Sequence, residues 1–252
     1  MLLRSIYWYF TFAATLAAYV PLMYAAKAKK PTMEPLEYNR YIHRRVSQFG
    51  LGCVKRTGAH FQIEGMENVP RDEPVVFISN HQGNFDIAVF LAHLPVPHGY
   101  VAKIELLKAP MIRTWMKYMH CVFLDRNNMR QSAKAIIEGI KILQGGQSLV
   151  IFPEGTRSKS EKMGEFKAAS FKLATKAKVP IVPVTINGTF RIMETEESAG
   201  LFRNKLIRLI RPANVYVKIH PPIRTDGLDA KNSANLPVLV RQIIEDGLKN
   251  SR

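Results

Sequence analysis

A histidine and an aspartate five positions apart stand between two apolar runs of the sequence. The stretch from 77 to 90 reads FISNHQGNFDIAVF, and His81 and Asp86 are the residues in it that could do chemistry. The apolar residues before His81 predict a strand and those after Asp86 predict a helix. On one straight helix, side chains five residues apart point about 140° away from each other. The two can therefore meet only if His81 lies in the turn and Asp86 in the first turn of the helix.

Such a pair can prepare an imidazole to accept a proton. If Asp86 accepts the proton of one ring nitrogen, the tautomer is fixed and the other nitrogen is free to act as a base. Gly83 would permit a sharp turn, and Asn84 is a suitable cap for the helix. The chain contains no G-x-S-x-G nucleophile motif, so a base here would activate a hydroxyl of the substrate. A structural histidine beside a helix-capping aspartate is the alternative.

A second polar loop follows another apolar run, in the sequence SLVIFPEGTRSKS from 148 to 160. Ligands of α/β proteins bind beyond the carboxyl ends of the strands, so this loop and the His81 loop can line one crevice. The planar guanidinium of Arg157 suits a phosphate, and Glu154 can hold that arginine or bind a hydroxyl. A local ion pair between Glu154 and Arg157 is the alternative.

The elements that must position these loops are short apolar runs alternating with helical stretches. This alternation predicts an α/β fold in which helices cover a mixed sheet. The last helix is expected to start with Asn235 as its cap and Pro237 in its first turn. Strands are predicted near 61–64, 75–79, 99–102, 121–124, 148–152, 181–187 and 214–219, and helices near 84–93, 104–118, 131–144, 166–177 and 235–249.

The first part of the chain has a different character, and we predict a division into residues 1–57 and 58–252. No charged residue occurs from Ser5 to Ala26, and as a helix this segment would be about 33 Å long, close to the thickness of a bilayer core. We expect an uncleaved membrane segment that either spans the bilayer or lies in one leaflet. A cleaved signal peptide and a buried core helix are the alternatives. Glu34 to Gly52 predicts a basic amphipathic helix, suited to a membrane surface or to packing on the main domain.

Composition narrows the class of protein. The net charge of +16 attracts polyanions such as anionic lipids, phosphorylated substrates or nucleic acid. A nucleic-acid module would interleave aromatic and basic residues, whereas here the aromatic residues concentrate in the first helix. Cys53 and Cys121 are expected to be buried thiols. The histidines lack metal-ligand spacing, so neither a metal nor a cofactor is predicted.

Four blocks of the sequence together resemble the glycerolipid acyltransferase family. NHQGNFD and FPEGTRS resemble its first and third signature blocks, VFLDR (122–126) the second and VPIVPV (179–184) the fourth, in the family's order. Within the family, the bacterial branch that acts on lysophosphatidic acid is the most similar. The resemblance implies transfer of a fatty acyl group from acyl carrier protein or coenzyme A to the sn-2 hydroxyl of 1-acyl-sn-glycerol-3-phosphate, which forms phosphatidic acid for phospholipid biosynthesis. Glycerol-3-phosphate or another lysolipid is the alternative acceptor.

The resemblance also implies roles for individual residues. His81 would be the general base and Asp86 its orienting partner. The glycerol phosphate would be bound by Glu154, Gly155, Thr156 and Arg157, assisted by Arg126 and Lys103. Arg126 and Lys103 on their own are also typical of ordinary surface charges. The two N-terminal helices would anchor the protein to anionic lipids of the inner membrane, with the catalytic domain on the cytoplasmic face.

Overall fold

The computed structural model describes residues 1–125, 128–195, 198, 208–228 and 230–251. These residues form a seven-stranded sheet in the order β1-β7-β6-β2-β5-β3-β4. Neighbouring strands are parallel, except that β6 and β7 are antiparallel, so the predicted mixed α/β sheet is confirmed. The strands are β1 (His60–Glu64), β2 (Val76–Ser79), β3 (His98–Lys103), β4 (Val122–Leu124), β5 (Ser148–Ile151), β6 (Ile181–Asn187) and β7 (Asn214–Ile219).

The central strands β6, β2 and β5 are buried along their whole length, as expected for parallel strands covered on both faces. Side chains of a strand alternate between the two faces, and the sheet accordingly separates two cores. Phe77 belongs to the core under the N-terminal helices and α3, whereas Val76 and Ile78 belong to the core under α5, α6 and α8. The helices are α1 (Leu2–Lys29), α2 (Pro35–Lys55), α3 (Phe85–His93), α4 (Pro110–Tyr118), α5 (Met129–Gln144), α6 (Lys172–Ala177), α7 (Phe190–Met193) and α8 (Ala230–Lys249).

Several predicted helix boundaries are wrong, for reasons that lie in the backbone. The helix expected over 104–118 is a 3₁₀ turn, Ile104–Lys108, followed by α4, because Pro110 begins a new helix and holds the residue before it extended. The helix expected over 166–177 likewise divides into a 3₁₀ turn, Ala168–Phe171, and α6. Helix α8 begins at Ala230, so Asn235 is no cap and Pro237 lies inside the helix.

Helix α1 packs on the rest of the chain along one side only. The Trp8 indole stacks on Phe12 and meets the ring of Phe85 in α3, and its Nε1 donates to the carbonyl of Cys53. The opposite side of the helix is apolar and exposed, including Leu3 (83% exposed) and Phe10 (73%). By length and composition α1 could cross a membrane. It is therefore not a buried core helix.

The apolar side of α2 faces the protein. Its Tyr41, Ile42 and Val46 are buried, and a Cβ on Gly50 would lie 2.6 Å from the Cβ of Leu91 in α3. Of the two readings of this helix, packing on the main domain is the one observed, and its arginines at 40 and 44 point outward. The division of the chain at residue 58 stays a prediction.

Candidate active site

Three loops meet at the carboxyl ends of adjacent strands. Strand β2 lies between β5 and β6, and each of these three strands ends in a polar loop. The loop after β5 is bonded to the loop after β2 through Ser158 N–H, which donates to the carbonyl of His81 at 2.8 Å. The loop after β6 is bonded to it through Gly188 N–H, which donates to Oε1 of Gln82 at 2.8 Å. The predicted crevice is thus built from three loops rather than two.

His81 and Asp86 are joined directly. Nδ1 of His81 lies 2.7 Å from Oδ2 of Asp86, and the carboxylate is fully buried while the histidine side chain is 16% exposed. An N–H donated from Nδ1 to the carboxylate fixes the tautomer with a lone pair on Nε2. Among the described residues, no group is hydrogen-bonded to Nε2. The pair can therefore present a base to a substrate.

The carboxylate of Asp86 is held by further hydrogen bonds. Oδ2 also accepts the backbone N–H groups of Gln82 (2.6 Å) and Gly83 (2.9 Å), and Oδ1 accepts the hydroxyl of Thr189. A buried charge is tolerated when its oxygens are satisfied in this way. Asp86 thereby fixes the turn that carries His81, in addition to orienting the ring.

The ring of His81 is also fixed from its face. It stacks on Phe152, with centroids 4.1 Å apart and planes 18° apart. Phe152 follows β5 directly, so the second loop supplies both a stacking surface and a backbone contact for the base. Packing on one face and a hydrogen bond at one edge leave the imidazole little rotational freedom.

Glu154 connects the loop after β5 to the loop after β2. Its Oε1 accepts the backbone N–H of His81 at 2.7 Å, and its Oε2 accepts that of Gly164 at 2.8 Å. Burial raises the pKa of this carboxyl above its usual value, and the two backbone hydrogen bonds oppose that rise. The alternative interpretation of this loop, a local ion pair between Glu154 and Arg157, is not observed, because both oxygens of Glu154 accept backbone amides instead.

Arg157 is paired with a residue of the third loop instead. Its Nη1 donates to Oε1 of Glu194 at 2.8 Å and to Oδ1 of Asn84 at 2.6 Å. Asn84 does precede α3, but its side chain makes no capping hydrogen bond. Gly83 needs no positive φ. A Cβ there would approach Cγ of Glu194 to 3.2 Å, so the missing side chain admits the third loop.

Comparison with known proteins identifies the family to which the chain belongs. The acyltransferase family model matches residues 60–187, just over half of the chain. The chain belongs to the acyltransferase family. The match begins at β1 and ends with β6, and so includes the His81 loop and the Arg157 loop.

Individual relatives of this acyltransferase agree in their names. A probable 1-acyl-sn-glycerol-3-phosphate acyltransferase of Mycoplasma pneumoniae is 34% identical over 77% of this chain and 73% of its own. A 1-acyl-sn-glycerol-3-phosphate acyltransferase of Borreliella burgdorferi is 30% identical over 76% and 74%. The crystal structure of the 1-acyl-sn-glycerophosphate (LPA) acyltransferase PlsC from Thermotoga maritima matches with a TM-score of 0.81 and 27% identity, over 99% of this chain and 95% of that one.

The other predicted site residues of this acyltransferase lie at or beyond the carboxyl ends of the strands, as the two loops do, or fall outside the described residues. Gly155 adopts the left-handed conformation (φ +74°) in the turn that carries Arg157, and Thr156 is exposed beside it. Lys103 is the exposed last residue of β3. Arg126 lies outside the described residues. In the described part of the chain, no three metal-ligating side chains cluster, and the absence of a metal requirement stays a prediction.

Sequence reasoning missed two residues that contact the candidate site, Thr189 on Asp86 and Glu194 on Arg157. Both follow β6 in the segment NGTFRIMETEE. The rule that pointed to the loops after β2 and β5 applies equally to the end of β6, so the signal was present. It was overlooked because the helix there, α7, is only 4 residues long and has no detectable periodicity.

Cys53 and Cys121 are buried free thiols, as predicted. Burial raises the pKa of Cys53 to about 11 and that of Cys121 to about 12. Neither thiol is therefore activated as a nucleophile.

Proposed function

We propose that this acyltransferase moves a fatty acyl group from a thioester donor to the sn-2 hydroxyl of 1-acyl-sn-glycerol-3-phosphate, forming phosphatidic acid. One observation carries the proposal: an arginine suited to phosphate stands beside an oriented imidazole. Ser158, the residue after Arg157, is bonded to the carbonyl of His81. An acceptor with a phosphate near a hydroxyl, as named in the relatives, fits both groups at once.

In the proposed reaction His81 acts as general base and then as general acid. Nε2 takes the proton of the acceptor hydroxyl while the hydroxyl oxygen bonds to the carbonyl carbon of the thioester. Asp86 stabilises the imidazolium that forms, through the hydrogen bond from Nδ1. Collapse of the tetrahedral intermediate breaks the C–S bond, and the imidazolium returns its proton to the departing thiolate. The products are the ester and a free thiol, and His81 is restored.

The phosphate of the acceptor is assigned to Arg157, with Thr156, Arg126 and Lys103 as further contacts. Arg157 is the firmest of these because its side chain is held in place by Asn84 and Glu194. Gly155 contributes the turn rather than a side chain. Glu154 is assigned a positioning role, since its oxygens are engaged by the backbone amides of His81 and Gly164.

The donor is proposed to be acyl carrier protein or a coenzyme A thioester. Both are anionic, and an exposed lysine surface begins at the active-site loop. Lys159 N–H is bonded to the carbonyl of Gln82, next to His81. The lysine surface continues onto α6, on the face of the sheet opposite α1. Along the sequence from Lys159 to Lys178, the acidic residues are Glu161 and Glu165. The lysine surface consists of Lys159, Lys162, Lys167, Lys172, Lys176 and Lys178, all exposed.

The protein is proposed to act at the inner membrane, with its catalytic part on the cytoplasmic face where thioester donors are made. The exposed apolar side of α1 supports this placement. The lysine surface then points away from the bilayer, toward a soluble anionic donor. The outward arginines of α2 would meet anionic headgroups.

The decisive experiment offers the purified full chain, in lipid vesicles, a panel of donors and acceptors and identifies the products by mass spectrometry. Acceptors are 1-acyl-sn-glycerol-3-phosphate, glycerol-3-phosphate, a zwitterionic lysolipid and monoacylglycerol. We expect phosphatidic acid as the main product, with a loss of about 10²–10⁴ in rate for His81→Ala. A preference for glycerol-3-phosphate or the zwitterionic lysolipid would replace the proposed acceptor. Near wild-type turnover by His81→Ala would overturn the mechanism.

A further inference from the structure

Glu194 is a buried carboxylate between two arginines. Its side chain is 3% exposed. Oε1 accepts from Nη1 of Arg157 at 2.8 Å and from the backbone N–H of Asn84 at 3.2 Å. Oε2 lies 3.8 Å from Nη1 of Arg208. Burying a carboxylate is costly unless it is paired, so this arrangement holds all three partners in place.

The ion pair with Glu194 orients the guanidinium of Arg157 but occupies only one of its nitrogens. Both of its hydrogen bonds, to Asn84 and to Glu194, are made through Nη1. In the part of the chain that the structure describes, no acceptor is bonded to Nη2 or Nε of Arg157. Those N–H groups form the edge of the guanidinium that can bind two oxygens of one phosphate. Glu194 thus binds the guanidinium at Nη1, and the Nε and Nη2 groups on the other edge can donate to a phosphate.

The second arginine connects the same carboxylate to helix α1. Nη1 of Arg208 donates to the carbonyl of Met193 at 2.9 Å, next to Glu194. The backbone of Arg208 is bonded twice to the hydroxyl of Tyr9, which donates to its carbonyl at 2.9 Å and accepts its N–H at 3.1 Å. Nearby, Ser5 accepts the N–H of Ile210 at 2.8 Å. The helix whose other side is exposed and apolar therefore fixes the segment that carries Arg208.

We propose that Glu194 is a positioning residue that aims Arg157 at the phosphate of the acceptor, and that Arg208 and Tyr9 link this carboxylate to α1. The inference rests on the proposed phosphate-bearing acceptor. Without the charge of Glu194, the long side chain of Arg157 is no longer held, and the substrate must order it on binding. Acceptor binding then weakens. Proton transfer is spared, because the described hydrogen bonds of Glu194 do not reach His81 or Asp86.

The first test is Glu194→Gln, compared with Glu161→Gln. The control makes the same chemical change in an ion pair with Arg191 that is exposed on both sides. For Glu194→Gln we expect the acceptor KM to rise about tenfold while the donor KM stays constant and kcat falls less than about threefold. Transfer to monoacylglycerol, which lacks the phosphate, should lose less in Glu194→Gln than transfer to 1-acyl-sn-glycerol-3-phosphate does. An equal loss with both acceptors, or an unchanged acceptor KM, would overturn the proposal.

The second test is Tyr9→Phe, which removes one oxygen and keeps the proposal testable if Glu194→Gln does not fold. Tyr7→Phe, on the exposed side of α1, is the matched control. We expect the acceptor KM to rise about threefold for Tyr9→Phe alone. The double variant Tyr9→Phe/Glu194→Gln should be no worse than Glu194→Gln, since the two act through one chain of contacts. An unchanged KM for Tyr9→Phe, or effects that multiply in the double variant, would refute the link to α1.

The kinetic results distinguish an incorrect acceptor assignment from an incorrect positioning role of Glu194. Consider first that the acceptor is not 1-acyl-sn-glycerol-3-phosphate. In that case the wild-type enzyme itself would not distinguish 1-acyl-sn-glycerol-3-phosphate from monoacylglycerol. If the wild type distinguishes them and Glu194→Gln distinguishes them equally well, the acceptor is right and the positioning role is wrong.

Discussion

Thr189 donates a hydrogen bond from Oγ1 to Oδ1 of Asp86, across 103 positions of sequence. Both side chains are fully buried. The contact joins the end of β6 to the first turn of α3, on the side of the candidate active site opposite Phe152. It means that the orientation of His81 depends on a residue outside the histidine–aspartate motif.

Replacing Thr189 with valine should lower kcat. Valine keeps the shape of the side chain but leaves Oδ1 of Asp86 without its donor, and a hydrogen bond to a charged group contributes about 1.5–3 kcal/mol. We expect kcat to fall about tenfold at saturating donor and acceptor, less than for His81→Ala. Thr189→Ser restores the hydroxyl and should recover most of the rate. Equal rates for the valine and serine variants would contradict a role of the hydroxyl.

Arg157→Ala should weaken acceptor binding rather than chemistry. A charged hydrogen bond of this kind contributes about 1.5–3 kcal/mol, so the acceptor KM should rise by about one to two decades while the donor KM changes little. Steady-state kinetics with each substrate varied in turn measure both. Arg191→Ala is the control, because Arg191 is an exposed arginine of α7 paired with Glu161. The same KM increase in both variants would show a general effect of positive charge.

The stability of the protein should fall in mild acid. Burial lowers the pKa of His98 to about 3 and, together with the charge of Lys218, that of His220 to about 4. In the unfolded chain a histidine takes up its proton near pH 6.5. Below that pH the unfolded state binds more protons than the folded state, so the free energy of unfolding decreases by up to about 1.4 kcal/mol per pH unit for each histidine.

Denaturation of the detergent-solubilised protein at pH 7 and pH 5 measures this slope. His98→Gln removes one of the titrating groups and should flatten the pH dependence between these values. Nδ1 of His98 contacts the carbonyl of Val96 and Nε2 contacts the hydroxyl of Tyr100, so the variant is expected to be less stable at pH 7. A slope identical to that of the wild type would show that His98 does not control it.

Much of the fold could be predicted because the central strands are recognisable in the sequence as apolar runs. Strands β2, β5 and β6 each contain a run of apolar residues, and the blocks around His81 and Arg157 follow two of these strands directly. The partners of those residues were harder to predict. Glu154 precedes Arg157 by three positions and suggested a local pair, whereas the actual partner, Glu194, is brought in by the neighbouring strand. Spacing along the chain carries no information about that contact.

Helix α2 shows a second limit of pattern reasoning. Its amphipathic period fits a membrane surface and a protein surface equally well, because both take up an apolar stripe. The deciding feature is Gly50, which lets the helix approach α3 closely. In the sequence, a single glycine only weakens the prediction of a helix. It does not show which other element packs against the helix at that position.

The lysine surface should govern binding of an acidic donor. Lys172→Glu/Lys176→Glu reverses two exposed charges on α6, and we expect the KM for acyl carrier protein thioester to rise about tenfold at low salt. The difference from wild type should shrink at high salt, where the charges are screened. Transfer from a short uncharged thioester is the control and should be unaffected. An equal loss with the uncharged donor would place the effect in the fold instead.

Helix α1 should attach the protein to membranes through its exposed apolar side chains. Removing the whole helix would not test this, because Trp8 is buried and Ser5 is bonded to Ile210. Leu3→Gln/Phe10→Gln changes only exposed positions. Each apolar side chain that leaves a bilayer loses about 1.5–3 kcal/mol, so a larger share of the variant should be recovered in the supernatant after sedimentation with vesicles.

The same variant separates attachment from catalysis. Transfer to bilayer-embedded 1-acyl-sn-glycerol-3-phosphate should decrease in proportion to the bound fraction, whereas transfer to a short-chain soluble acceptor should be unchanged. Ile137→Gln is the control, since Ile137 is an exposed apolar residue of α5 on the opposite face of the sheet. Equal losses with both acceptors would mean that the outer side of α1 supports the fold. Release of the Ile137 variant from vesicles would mean that the lysine-bearing face, and not α1, lies on the membrane.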